Sequence, residues 1–146
     1  MIVDHFQIRP RYNEVDRMGY VYHANHVTYC HQARTELMRK YELHDDLLEK
    51  KGYMLPVISF HIEYKTPARY DEVLTITTKI CELPRVRFCM EFEIKNSDGK
   101  IVSKGTSEVV FVDKESRLPM AVPEFARQRL SRAFVDDLIG QRAAHC

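Results

Sequence analysis

The run Val86-Arg87-Phe88-Cys89-Met90-Glu91-Phe92-Glu93-Ile94-Lys95-Asn96-Ser97-Asp98-Gly99 decides the fold class. From Val86 to Lys95 the even positions are apolar and the odd positions, Cys89 apart, are charged. The side-chain period is therefore two, and the two sets stand on opposite faces of an extended strand. Phe88, Met90 and Phe92 form a core stripe. Asn96-Ser97-Asp98-Gly99 ends the alternation in a hairpin turn, with Gly99 supplying the positive φ that such turns require. A last strand over 101–112 follows, and Gly105 within it marks a close backbone approach or a bulge.

Towards the N-terminus the same period returns twice. Leu74, Ile76, Thr78 and Ile80 alternate ahead of Leu83-Pro84, and Ile58, Phe60, Ile62 and Tyr64 alternate with Ser59, His61, Glu63 and Lys65. Before residue 57 the spacing lengthens to about 3.6. Val27, Cys30, Arg34, Leu37, Met38 and Tyr41 share one helical stripe bordered by Ala33, and Asn25 is placed to cap its first turn. Phe6, Ile8 and Tyr12 alternate with Gln7, Arg9 and Arg11, which predicts a first strand over 6–12. Pro119 and Pro123 break the pattern before a C-terminal helix from Glu124 to about Leu138. The order is α+β: a long helix against one face of a five-stranded antiparallel sheet, with a C-terminal helix. An open sheet leaves two edges that proteins pair or cover, so dimerisation through an edge is expected.

Composition narrows the function classes. The chain has 146 residues, 45% hydrophobic and 29% charged, with 22 Lys+Arg against 21 Asp+Glu and a net charge of +1. That predicts one ordered globular domain over 1–146, with a core of about 5–125. It argues against a dedicated nucleic-acid binder. No apolar run is long enough to insert in a membrane, and the start lacks the pattern of a secretory signal. Cysteines at 30, 81, 89 and 146 lack the close pairs that mark zinc or redox sites. Cys30, Cys81 and Cys89 lie in apolar periodic segments and are read as small buried hydrophobes. A reducing, cytoplasmic compartment fits this usage.

The densest candidate for chemistry runs from Arg11 to Asn25. It sets the Asp16 carboxylate in a loop just ahead of a helix N-terminus, where unpaired amides and the helix dipole favour an anion or a developing oxyanion. A carboxylate beside such amides suits acyl-group hydrolysis. The plainer reading is that Asp16 only caps a turn. His23, His26 and His31 have a helical spacing that can suit a metal, but no nearby Cys or Glu completes a ligand set, so no metal and no cofactor are expected. Ser59, Ser103 and Ser107 lack a nucleophile-elbow context.

Tyr12, Asp16, Met18-Gly19, Val21-Tyr22-His23-Ala24-Asn25, Tyr29 and Ala33-Arg34-Thr35-Glu36 resemble the 4-hydroxybenzoyl-CoA thioesterase family of hotdog-fold proteins, in particular its acyl-CoA thioesterase branch associated with Tol-Pal clusters. Tyr64-Lys65-Thr66-Pro67-Ala68-Arg69-Tyr70-Asp71-Glu72-Val73-Leu74 is a second similar stretch. The resemblance implies a hotdog fold and hydrolysis of an acyl-CoA thioester. It implies Asp16 as nucleophile or general base and the His23 backbone amide as the group that polarises the carbonyl. It also implies Gly19, Tyr22, Asn25, Thr66 and Arg69 as substrate-binding positions. His26 departs from the Tyr usual there, which bears on pocket shape. Lys65, Arg69, Arg85 and Arg87 are candidates for the CoA phosphates. The implied partners are acyl-CoA or an acyl-carrier protein, with a homodimer or homotetramer completing the site. The alternatives are a hotdog dehydratase or hydratase, and a module that binds acyl-CoA without turnover.

Overall fold

A computed structural model describes residues 1–144, with side chains through Phe134. Strand β1 (Ile2–Ile8) leads through a 3-10 turn at Tyr12–Glu14 to helix α1 (His23–Lys40). A short helix α2 (Asp45–Lys50) and strand β2 (Tyr53–Met54) come next. Strands β3 (Val57–Tyr64), β4 (Leu74–Ile80), β5 (Arg87–Lys95) and β6 (Ile101–Asp113) follow, then β7 (Pro119–Met120) and helix α3 (Glu124–Ala144). All strand pairings are antiparallel. β1, β4, β5 and β6 lie side by side, β3 pairs with β6, and the short β2 and β7 attach to the far end of β6. The expected five strands are present, and β2 and β7 bring the sheet to seven.

Helix α1 packs on one face of this sheet. Tyr29, Ala33 and Leu37 are fully buried against a layer that includes Ile76 and Ile80 of β4, Phe88, Met90 and Ile94 of β5, and Phe111 of β6. Fully burying one such side chain contributes about 1.5–3 kcal/mol, which makes this layer the main favourable contribution to the fold. The alternation that begins at Val86 therefore does point its even residues inward, although Val86 itself is exposed and lies just before β5.

Several expectations are corrected. The first strand is Ile2–Ile8, not 6–12, with Ile2 opposite Ile80 and Ile8 opposite Leu74. Pro10 has no amide to continue a ladder, and the chain turns at Tyr12. Asn25 does not cap α1. Tyr22 is the N-cap, and the Asn25 amide group donates to the Glu14 carbonyl at 2.8 Å. Val27 is exposed, because the buried stripe runs His26, Tyr29, Cys30, Ala33, Arg34, Leu37, Met38, and residue 27 falls on its flank. Cys30 is buried as expected, but Cys81 and Cys89 are exposed. Cys89 is on the face of β5 opposite Phe88 and Met90, and Cys81 lies just past the end of β4. Cys146 lies outside the described residues.

The turns obey their sequence signals. Gly99 has φ +80° and donates to the Asn96 carbonyl at 3.0 Å. Gly105 is a close approach and not a bulge: a Cβ there would sit 3.1 Å from the His61 carbonyl oxygen. Helix α2 carried no sequence expectation. It is reached by a reversal at Glu42, φ +56°, after which the Leu43 amide donates back to the Met38 carbonyl at 2.8 Å. Helix α3 begins at Glu124 as expected but runs on to Ala144, past Leu138. Among the described residues no helix is long and apolar enough to cross a membrane.

Candidate active site

Residues 15–21 form a miniature hairpin between the 3-10 turn and α1. Val15 bridges Val21, the Asp16 amide donates to the Tyr20 carbonyl at 2.7 Å, and the Gly19 amide donates to the Asp16 carbonyl at 3.0 Å. Gly19 holds φ +78°, and a Cβ there would meet nothing within 4 Å, so the requirement for glycine is conformational and not one of space. Inside this loop Asp16 Oδ1 accepts from the Met18 amide at 2.8 Å and the Tyr20 amide at 3.2 Å. The turn-capping role is thus real. It occupies one carboxylate oxygen and leaves Oδ2 without a partner among the described residues.

The start of α1 is fastened from three directions. The Tyr22 amide donates to the Glu14 carbonyl at 2.9 Å, beside the Asn25 contact to the same oxygen. The Val21 amide donates to the Ala68 carbonyl at 2.7 Å, and Tyr20 bridges Arg69. The Tyr64 hydroxyl, at the end of β3, donates to the His23 carbonyl at 2.7 Å. His23 is the first residue of α1, so its amide is one of those a helix leaves without an internal acceptor. Asp16, His23, His26, Tyr64, Lys65 and Thr66 converge on one open cleft of about 360 Å³.

A family model described as the thioesterase-like superfamily matches residues 10–130. The chain belongs to the thioesterase-like superfamily. Escherichia coli O157:H7 acyl-CoA thioester hydrolase YbgC is 30% identical over 117 residues, covering 80% of this chain and 87% of that protein. Bacillus subtilis YneP is 36% identical over 120 residues, covering 82% and 87%. Among solved structures, a DHNA-CoA thioesterase from Staphylococcus aureus superimposes with a TM-score of 0.84 at 25% identity, covering 99% of this chain and 96% of that one. The hotdog architecture read from the sequence is the one observed.

In this thioesterase-like chain the expected site residues separate into two groups. Asp16, His23 and Thr66 line the cleft; Gly19, Tyr22, Asn25 and Arg69 do not. Tyr22 is exposed, with its ring 4.3 Å from that of His23. Arg69 lays its guanidinium 5.4 Å from the centre of the Tyr20 ring, so it braces the hairpin. Of the basic candidates only Lys65 reaches the cleft, where its Nζ is 3.1 Å from a Glu63 oxygen. Arg85 and Arg87 line a different groove, and Arg87 pairs with Glu108 at 3.2 Å.

The thioesterase-like cleft also contains a polar pair that sequence reasoning missed. His26 is buried on α1, with Nδ1 at 3.0 Å from the Ser103 hydroxyl of β6 and its ring edge-on to Tyr64 at 4.9 Å. Burial, and secondarily the nearby His23, lower its pKa to about 4, so the ring is neutral at neutral pH. Burial likewise pushes the Cys30 thiol up to about 12, which makes it inert. The Tyr29 hydroxyl is buried near the Glu14 carboxylate, and burial together with that carboxylate raises its pKa. Tyr64 opens the second similar stretch, and that position was its one sequence signal; a clamp on His23 needs the fold.

Proposed function

We propose that the chain hydrolyses acyl-CoA thioesters at the Asp16 cleft. The observation that carries this reading is the division of labour within one carboxylate. Oδ1 is held by two amides, which fixes the group, while Oδ2 is left over beside the open amide end of α1. The superfamily membership and the acyl-CoA thioester hydrolase named YbgC support the substrate class.

The thioester carbonyl oxygen accepts from the His23 amide, which stabilises the charge that develops there. Asp16 acts on the carbonyl carbon in one of two ways. As nucleophile, Oδ2 attacks, the C–S bond breaks, the CoA thiolate leaves, and water then cleaves the acyl–aspartyl anhydride. As general base, Oδ2 takes a proton from the water that attacks. His26, neutral and tied to Ser103, shapes the wall and carries no proton in this scheme. Among the described residues no histidine of the cleft is hydrogen-bonded to an acid, His26 being tied to Ser103 and Asp16 to two amides, which disfavours a dehydratase. A non-catalytic binder has no use for the leftover oxygen.

We further propose that one globular domain forms one protomer of a cytoplasmic homodimer, itself able to pair into a tetramer. Among the described residues β3 pairs only with β6, and Val57, Ile58 and Tyr64 on it are 47%, 48% and 46% exposed. Such an apolar free edge is what a second copy covers. An acyl-carrier protein thioester is the other substrate this cleft admits. Hydrolysis of a panel of acyl-CoA and acyl-carrier thioesters tests the activity, and no hydrolysis of any of them overturns it. In a single turnover in oxygen-18 water, label in the Asp16 carboxylate marks the nucleophilic route, with water attacking the aspartyl carbon of the anhydride, whereas the general-base route puts label in the released acid alone.

A further inference from the structure

Away from the Asp16 cleft, α1 buries an arginine that the thioesterase chemistry does not use. Arg34 is 5% exposed, yet among the described residues it has no hydrogen bond and no ion pair. Burial lowers its pKa from the usual guanidinium value, opposed in part by the Asp45 carboxylate acting through space. A guanidinium carries five donors and remains charged, so leaving it buried and unpaired is strongly unfavourable unless something else accepts those donors.

Arg34 lines a cavity of about 600 Å³ between α1, α2, β2 and the end of β6, a volume suited to a small ligand. Leu48, Met54, Leu55 and Val112 supply apolar wall. The acidic groups at its edge are spoken for. Glu49 is 3.6 Å from Lys114 Nζ, and Asp45 is exposed in the first turn of α2, where water and the helix dipole hold its charge. The one desolvated charge facing the space is positive.

We propose that this cavity binds a monocarboxylate with an apolar body, its carboxylate held by the Arg34 guanidinium. A carboxylate matches the planar fork of donors and accepts two parallel hydrogen bonds. A phosphate would meet the carboxylates of Asp45 and Glu49 as well as the exposed Arg117 at the edge, and would leave the apolar wall unused. An alcohol of the same length would fill the wall and leave the cation unsatisfied. No lining residue is shared with the Asp16 cleft, so the proposal stands whether or not Asp16 is catalytic.

Octanoate is the probe and octan-1-ol the uncharged control, titrated calorimetrically into the full chain. Octanoate binds saturably, and octan-1-ol at least tenfold more weakly. Arg34→Met weakens octanoate at least tenfold while the unliganded protein melts no lower than wild type, because an apolar replacement removes an unpaired buried charge. Met54→Trp, which fills the cavity and leaves Arg34 in place, weakens octanoate as well and decides the matter if Arg34→Met does not fold. Asp16→Asn binds octanoate as wild type does. The proposal is overturned by equal binding of acid and alcohol, by undiminished binding in Arg34→Met or Met54→Trp, by a tenfold change in Asp16→Asn, or by no saturable octanoate binding.

Discussion

Replacing Asp16 by Asn removes the charge and the spare Oδ2 lone pairs while keeping an oxygen where Oδ1 stands. The Met18 and Tyr20 amides at 2.8 and 3.2 Å therefore keep an acceptor, and the hairpin before α1 keeps its shape. Each of those bonds passes from a charged to a neutral acceptor, a loss of about 1 kcal/mol apiece. The cost to stability is thus at most about 2 kcal/mol. The cost to catalysis is larger. A positioned base or nucleophile contributes on the order of 10²–10⁴ in rate, so kcat falls about 10³-fold, or about 4 kcal/mol of barrier. KM changes little, since the amides of α1 that receive the carbonyl are untouched. Loss of the thioester ultraviolet absorbance is the suitable assay, because exposed Cys81 and Cys89 would consume a thiol reagent. Denaturant titration of the same variant separates folding from chemistry. A variant that is stable and turns over within a few-fold of wild type would refute the assignment of Asp16.

Tyr64→Phe deletes the bond to the His23 carbonyl at 2.7 Å; stability falls by about 1 kcal/mol in urea titration, and kcat falls more than KM rises because the amide end of α1 is no longer held. Gly19→Ala forces a side chain onto φ +78° with no steric clash, and costs about 1–2 kcal/mol in the same titration from backbone strain alone. His26 has its folded pKa depressed from 6.5 to about 4, so the unfolded chain binds a proton first as the pH falls. Stability is full above pH 6.5 and declines between about 6.5 and 4, by roughly 2 kcal/mol once solvent reaching the ring from the cleft is allowed for. Urea titrations across that range show the slope, and His26→Phe removes it.

Legibility in the sequence follows how local each feature is. The β5 alternation, the Asn96–Gly99 turn and the buried run Cys30, Ala33, Arg34, Leu37, Met38 of α1 each rest on neighbours a few residues apart, and they stand in the structure where the periods place them. Boundaries were less legible. The first strand shifts towards the N-terminus because its extent is set by pairing with β4, and Asn25 satisfies the Glu14 carbonyl instead of capping α1. Cys89 shows the limit of reading hydrophobicity without parity, since its odd position puts it on the outer face of β5, and Cys81 is exposed just beyond the end of β4. Within the site, Asp16 and His23 were legible because only the short loop of residues 17–22 separates them. Arg69 was not, since its stacking on Tyr20 depends on a bridge between distant segments.

By itself the sequence determined the α+β class, the residues that build the core, and the placing of one carboxylate before the start of one long helix. Those properties are periodicities and short spacings, which steric and hydrophobic rules convert directly into local structure. Only the tertiary structure decided what meets across the chain: Tyr64 on the His23 carbonyl, His26 on Ser103, and Arg34 buried at a cavity with Leu48, Leu55 and Val112. Such meetings depend on which strands pair, in what register, and on how α1 lies across them. Those choices are made by the burial of the whole sheet at once, so no window of sequence contains them.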